Sequence, residues 1–267
     1  MLSYGINLTT PRHFSTIYEL IQSKEVDFCE IMIDNFLHLE PHQIRDELGD
    51  IPVSFHIMNS KFIEVDTEGL ITLARRIREF ISETKPFYVS DHLARFLCDG
   101  RYLPRIAELD YSAMERQILD RTMLWQELLG TRLLLENHPS LSSGKRDQAD
   151  FCKYLLATTS CGMLFDISNA VVADLNRAES RHTWSELASI SEHFHIAGYD
   201  STKTEPVLYI DTHDSSVNRE TLQYANQIWK HKGKSGGTLV IERDQNLTKE
   251  AWNLDKANLE KTLCIKN

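Results

Sequence analysis

The sequence predicts a (β/α)8 barrel, and three observations carry that expectation. Eight short, apolar, β-rich runs recur along the 267 residues. Amphipathic segments with helical spacing lie between most of them, an alternation that builds a parallel sheet with helices outside. Eight such repeats in about 250 residues match the size of a closed (β/α)8 barrel. An open doubly wound sheet is the alternative, but no G-x-G-x-x-G or Walker sequence marks the nucleotide site that version usually carries.

The runs are YGIN (4–7), FCEIMI (28–33), IPVSFH (51–56), PFYVS (86–90), RLLLE (132–136), GMLFD (162–166), HFHIA (193–197) and GTLVIE (237–242). TEGLITLARRIREFISET (67–84) and YSAMERQILDRTMLWQELLG (111–130) read as helices between them. In the second, Ser112 and Glu115 have the spacing of a capping box and Gly130 is a C-terminal stop. SLSSGKRDQ (140–148) and YDSTKTEP (199–206) read as loops rather than domain boundaries. The expectation is one barrel domain over residues 1–267.

Composition narrows the class. The chain is 42% hydrophobic and 25% charged, ordinary for a soluble globular protein. No run of 18 apolar residues suggests a membrane span. The start, MLSYGINLTTPRHF, lacks the basic and apolar regions of a secretory signal, so a cytoplasmic location is expected. Five cysteines (Cys29, Cys98, Cys152, Cys161, Cys264) contain no C-x-x-C pair. They read mostly as small buried hydrophobes rather than a disulfide framework. A net charge of −10 disfavours a long nucleic-acid footprint, which needs clustered Lys and Arg.

The polar residues at the run ends carry the chemistry. His56, His92, Glu136, Asp166, His195 and Glu242 each follow an apolar run, and the second run is followed by Asp34. Parallel strands of a barrel converge their C-terminal ends on one face, where such side chains meet. Asp211 and His213, two apart in LYIDTHDSS (208–216), point the same way if the chain there is extended. Singly, each has a plain reading: a hydrogen-bonded His, a helix cap by Asp166 near Asn169, a turn at Asp211–His213. Jointly they do not, because clustered carboxylates repel unless cations compensate. A mixture of nitrogen and oxygen donors suits Zn, Mn or Fe, and there are enough for two or three ions with Glu136 as the bridge. The sulfur-free set excludes an iron–sulfur cluster but does not separate hydrolytic zinc from redox iron.

HIMNS (56–60), SDHL (90–93), LENHPS (135–140), LFDISNA (164–170), FHIAGY (194–199), DTHD (211–214) and IERD (241–244) resemble the DUF692 family over about residues 3 to 250. IDNF (33–36), FHIMNSKF (55–62) and GTRLLLEN (130–137) look like its methanobactin-biosynthesis branch. The resemblance implies a xylose-isomerase-like TIM barrel with clustered iron that acts on cysteines of ribosomal precursor peptides. In that branch iron and O2 convert a cysteine into an oxazolone with an adjacent thioamide, and a smaller C-type subunit completes a heterodimer that holds the leader peptide. Carried over, it places His56, His92 and Glu136 around one iron, and Glu136, Asp166, His195 and Glu242 around a second. Asn169, Asp211 and His213 would surround a third. Asp244 is then the candidate base, or else a residue orienting a ligand His. Asp34 and Asn35 are given substrate or indirect contacts. Lys61 faces the substrate channel or solvent, and Arg243 points away into a rim salt bridge. The alternative function is a zinc or manganese hydrolase or isomerase on the same scaffold, near the apurinic endonucleases.

Overall fold

The structure, a computed structural model, describes residues 2–232 and 236–264. Eight parallel strands form a closed barrel: β1 Leu2–Leu8, β2 Phe28–Met32, β3 Val53–Ile57, β4 Val89–His92, β5 Leu133–Glu136, β6 Gly162–Asp166, β7 His193–Ile196 and β8 Gly237–Ile241. Each pairs with the next in chain order and β8 closes on β1. All eight runs of the sequence are therefore barrel strands. Every residue of β3 and of β6 is buried, as expected where helices cover one side and packed side chains fill the other.

Nine helices of six or more residues pack around or between the strands among the described residues. Thr67–Thr84 forms with the predicted bounds, and its buried Leu70, Ala74, Ile77 and Phe80 fall on one stripe. Asp66 caps it by accepting the Gly69 N–H at 2.7 Å. The second helix begins later than the sequence suggested, at Glu115, and ends at Leu129 with Gly130 at φ 69°. The expected Ser112–Glu115 capping box is absent. Asp110 instead accepts the N–H groups of Ser112 and Ala113 at 3.1 and 2.9 Å, so the chain turns before Ser112 can serve as a cap. Glu115 pairs with Arg146.

Two antiparallel hairpins stand on the loops that follow β4 and β7. Arg95–Cys98 pairs with Arg101–Ala107, and Tyr199–Ser201 with Tyr209–Asp211. The second replaces part of the loop expected over 199–206. All five cysteines are unpaired, and Cys29, Cys152 and Cys161 are buried. No helix among the described residues is long and apolar enough to cross a membrane.

The barrel floor is filled by side chains that cross it. Tyr88, Leu134 and Leu164 make an inner apolar cluster separate from the core under the helices. Phe28 reaches over Gly5 of the neighbouring strand, where an added Cβ would sit 2.3 Å from the ring. Gly5→Ala is therefore expected to overpack this layer and cost about 1–3 kcal/mol. Thermal denaturation of the variant tests this; an unchanged midpoint would show that Phe28 has room to move.

Candidate metal centre

The strand ends deliver their polar side chains into one cluster. In register, His92 lies beside Glu136 and Asp166 beside His195. The ligating atoms of His56, His92 and Glu136 lie within 4.8 Å of one another, and so do those of Glu136, Asp166, His195 and Glu242. Glu136 belongs to both groups. Its Oε2 is 3.3 Å from His56 Nε2 and 3.1 Å from His92 Nδ1, while its Oε1 is 3.7 Å from His195 Nδ1.

The remaining candidates lie alongside. Asn169 donates to Glu136 Oε1 at 3.2 Å and to the Asn137 carbonyl at 2.9 Å. His213 Nε2 is 2.5 Å from Asp211 Oδ2 and 3.8 Å from Glu242 Oε2. All three line one cavity of about 520 Å³ together with His56, His92, Glu136, Glu242 and Asp244. The cavity wall also carries Met32, Met58, Ile106, Pro139, Leu141 and Ile210, and its one Arg or Lys is Arg105.

Several buried acceptors here have no hydrogen-bond partner: Asp166 Oδ2, Asn169 Oδ1, Asp211 Oδ1 and Glu242 Oε2. Buried polar atoms are nearly always paired, because leaving one unpaired is costly. Lone pairs of three carboxylates and an amide, with imidazoles between them, are the donor set of a hard or borderline cation. The cluster can therefore hold metal. Asp166 shows the division of labour within one side chain. Its Oδ1 caps the helix Ile167–Leu175 by accepting the Asn169 N–H at 2.8 Å, and its other oxygen is left for the cluster.

Charge states agree with crowding. Burial, then Asp211 and Glu136, push the Asp166 carboxyl well above its ordinary range. Burial also raises Glu242, against the pull of His195 and His213. Glu136 moves the other way: burial would raise it, but His92, His195 and His56 outweigh that and hold it ionised. Burial and the neighbouring His92 lower His56 to about 4, so it stays neutral and able to ligate. A cation would relieve the same repulsion from the centre.

The surrounding contacts orient these groups. Ser90 Oγ donates to the Phe55 carbonyl at 3.1 Å and lies 2.8 Å from His56 Nδ1. The hydroxyl hydrogen is thereby used, so Nδ1–H is the donor and the Nε2 lone pair faces the cluster. Asp244 accepts from Asn7 at 2.8 Å and lies 3.2 Å from His213 Nδ1. Burial would raise Asp244, but His213 outweighs it and keeps it ionised. Asp34 accepts the N–H groups of Met58 and Asn59 at 3.0 and 2.7 Å, which clamps the loop after His56. Asn35 donates to the Thr9 carbonyl at 2.8 Å. Neither lines the cavity. Lys61 bonds the Tyr102 hydroxyl at 2.7 Å, and Arg243 turns outward to Asp255 at 2.7 Å.

Two contributors were not read from the sequence. Glu30, inside β2, lies beneath the cluster with Oε1 2.7 Å from His195 Nε2. Asn7 on β1 holds Asp244 and accepts the Arg243 N–H at 2.9 Å. Glu30 is in the middle of FCEIMI, and a charged residue inside an otherwise apolar barrel run is the signal that could have found it.

A family model described as RiPP precursor modification enzyme MbnB/TglH/ChrH matches residues 3–262. A UPF0276 protein of Bordetella pertussis is 27% identical over 252 residues, 89% of this chain and 84% of that protein. One from Rhizorhabdus wittichii is 28% identical over 225 residues, 80% and 78% of the two chains. Among solved structures, a xylose isomerase-like TIM barrel protein from Mycobacterium smegmatis in complex with magnesium superposes with a TM-score of 0.65. It has 13% identity and covers 99% of this chain and 97% of its own. The IOLI protein with a bound zinc atom gives 0.63 at 13% identity, covering 98% of each. These two likenesses show the fold.

Gly198 allows the Asp211–Ser216 segment to approach β7. A Cβ at this position would lie 2.4 Å from the Ser215 carbonyl oxygen, and the Gly198 carbonyl accepts the His213 N–H at 3.0 Å. Gly198→Ala is expected to move Asp211 and His213 away from Glu242 and to weaken metal retention there. Elemental analysis of variant and wild type after the same dialysis checks it; equal metal content would show that the segment adapts.

Proposed function

The chain belongs to the MbnB/TglH/ChrH family of RiPP precursor modification enzymes, and from that membership we propose that it is the iron-bearing, O2-using subunit of a peptide-cysteine oxidase. In this reading it converts cysteines of a ribosomal precursor peptide into oxazolone and adjacent thioamide groups, as in the making of a copper-chelating methanobactin. A smaller C-type subunit completes a heterodimer and helps hold the leader of the peptide, and the complex works in the cytoplasm. The observation that carries the reading is the row of partnerless buried acceptors around Glu136, Asp166, Asp211 and Glu242, beside a cavity of about 520 Å³.

His56, His92 and Glu136 would hold one iron, and Glu136, Asp166, His195 and Glu242 a second. Asn169, Asp211 and His213 would hold a third, with an amide oxygen as its weakest donor. Bound iron supplies electron transfer to O2 and lowers the pKa of a ligated cysteine thiol. The rest falls to the chain. The apolar wall of Met32, Met58, Ile106 and Leu141 seats the residues around the cysteine and excludes water. Glu136, which belongs to both ligand groups, would serve each of them. Asp34 holds the loop after His56, which brings Met58 to the same cavity wall as His56.

Asp244 lines the cavity as an ionised carboxylate and is the proposed acceptor of the peptide N–H or Cβ–H proton. Its contact with His213 also suits a positioning role. Size of effect separates the two. Asp244→Asn is expected to slow modification by about 10²–10⁴-fold if it accepts the proton. The loss would be about 10- to 100-fold, with a matching loss of metal, if it only orients His213.

The whole reading is tested on protein purified without oxygen, alone and with its neighbouring subunit. Two to three irons per chain are expected from the ligand inventory. Exposure to O2 should then give a four-electron oxidation of a Cys-containing precursor, read by mass spectrometry. Tightly held zinc or manganese, with activity indifferent to O2, would replace the oxidase with a hydrolase or isomerase of the xylose-isomerase-like or apurinic-endonuclease type.

A further inference from the structure

We propose that Glu30 is a positioning residue that sets which nitrogen of His195 meets the metal and makes that pocket electronically distinct from the one around His56. The inference rests on the metal reading above. Glu30 and His195 are 1% and 0% exposed, so water cannot substitute for either contact. Glu30 Oε1 lies 2.7 Å from His195 Nε2, and its Oε2 receives the Tyr88 hydroxyl. The first contact is a close charge–charge approach and the second a hydrogen bond. A carboxylate has only lone pairs to offer. The contact is therefore favourable only when Nε2 carries a hydrogen.

The free lone pair of His195 is then on Nδ1. That atom lies 3.3 Å from Glu242 Oε2 and 3.7 Å from Glu136 Oε1, which is the centre of the four-ligand group. The reverse tautomer would leave a bare ring nitrogen 2.7 Å from the Glu30 oxygen, two lone-pair atoms in repulsive contact. Glu30 thus selects the ligating atom from beneath.

The partner behind each imidazole differs. His56 is backed by the neutral Ser90 hydroxyl at 2.8 Å, and His195 by a buried carboxylate. A carboxylate behind a ligating imidazole raises its basicity. The pocket of Glu136, Asp166, His195 and Glu242 therefore has three carboxylates and a carboxylate-backed imidazole. The pocket of His56 and His92 shares one of those carboxylates and has a hydroxyl behind His56. The two sites have the same bridge and unlike affinities, with the His195 site the tighter.

Glu30→Gln tests this, because it keeps the shape and removes the charge. Its amide can also donate to Nε2, which would put the ring proton on Nδ1 and block ligation. The iron-loaded wild type and the variant are equilibrated against graded chelator, with metal content and Mössbauer spectra read on each. The expected result is one ion per chain held about 10- to 100-fold more weakly, with one spectral component changed and the other kept. Tyr88→Phe leaves the His195 contact in place and is expected to shift the same component by less. Equal chelator midpoints and unchanged spectra in Glu30→Gln overturn the proposal, and so does equal loss of both ions. If Glu30→Gln does not fold, Tyr88→Phe decides, and an unchanged spectrum overturns it. A wild type that takes up no ion removes the metal reading and this role together. A wild type that binds ions but leaves the peptide unmodified removes only the peptide chemistry.

Discussion

Charge compensation in a dry barrel mouth is the constraint on which this structure depends. Glu136, Asp166 and Glu242 are all almost fully buried, with His195 as the imidazole among them. Burial, with repulsion from neighbouring carboxylates, raises Asp166 and Glu242, and the three histidines around Glu136 keep it ionised. A packed hydrophobic layer at the same height would be more stable. The chain keeps the carboxylates, and one oxygen of each is left without a donor. Carboxylate oxygens left unpartnered and gathered at one point are the mark of a site rather than of a scaffold.

The scaffold explains how so many groups converge. Side chains alternate along a strand, so His56 points into the barrel while Val53, Phe55 and Ile57 join the core under the helices. The same alternation sends Asp166 inward and lets it cap the helix that follows at once. Closure of the sheet then brings together residues as distant in sequence as Glu30 and His195. Two features outside the regular repeat complete the cavity. The first hairpin contributes Arg105 and Ile106, and the second contributes Ile210 and Asp211.

Most of this was legible in the sequence, for a physical reason. A barrel strand is a short apolar run, and a polar residue closing each of several runs is conspicuous. His56, His92, Glu136, Asp166, His195 and Glu242 were found that way. Asp211 and His213 were found by their spacing of two, although the chain is not extended through both: Asp211 ends a strand and His213 lies in a bend at φ 53°. The hairpin at Arg95–Ala107 was not found, because its strands alternate weakly and bury only Phe96. The capping box at Ser112 failed because Asp110, two residues earlier, takes the Ser112 N–H that the Glu115 side chain would accept, and Glu115 pairs with Arg146. Asn7 and Glu30 were passed over because they lie inside runs, not at their ends, and the rule in use looked only at ends.

That omission has a structural meaning. A residue at a strand end reaches the cavity and can touch a metal or a substrate. A residue one pleat lower on the same inward face can touch only the backs of those that do. Glu30 pairs with Ser54 in register, one inward position below His56 and its partner Met32, and its carboxylate accordingly meets the far nitrogen of His195. Asn7 pairs with Glu30 on the other side and supports Asp244 from the same depth. The barrel thus stacks its function in two tiers: donors at the rim, and beneath them polar groups that set how the donors point. Ordinary barrel packing would fill the lower tier with aliphatic side chains, as Leu134 and Leu164 do on β5 and β6. Where the lower tier is polar instead, on β1 and β2, it lies under the groups whose orientation matters most.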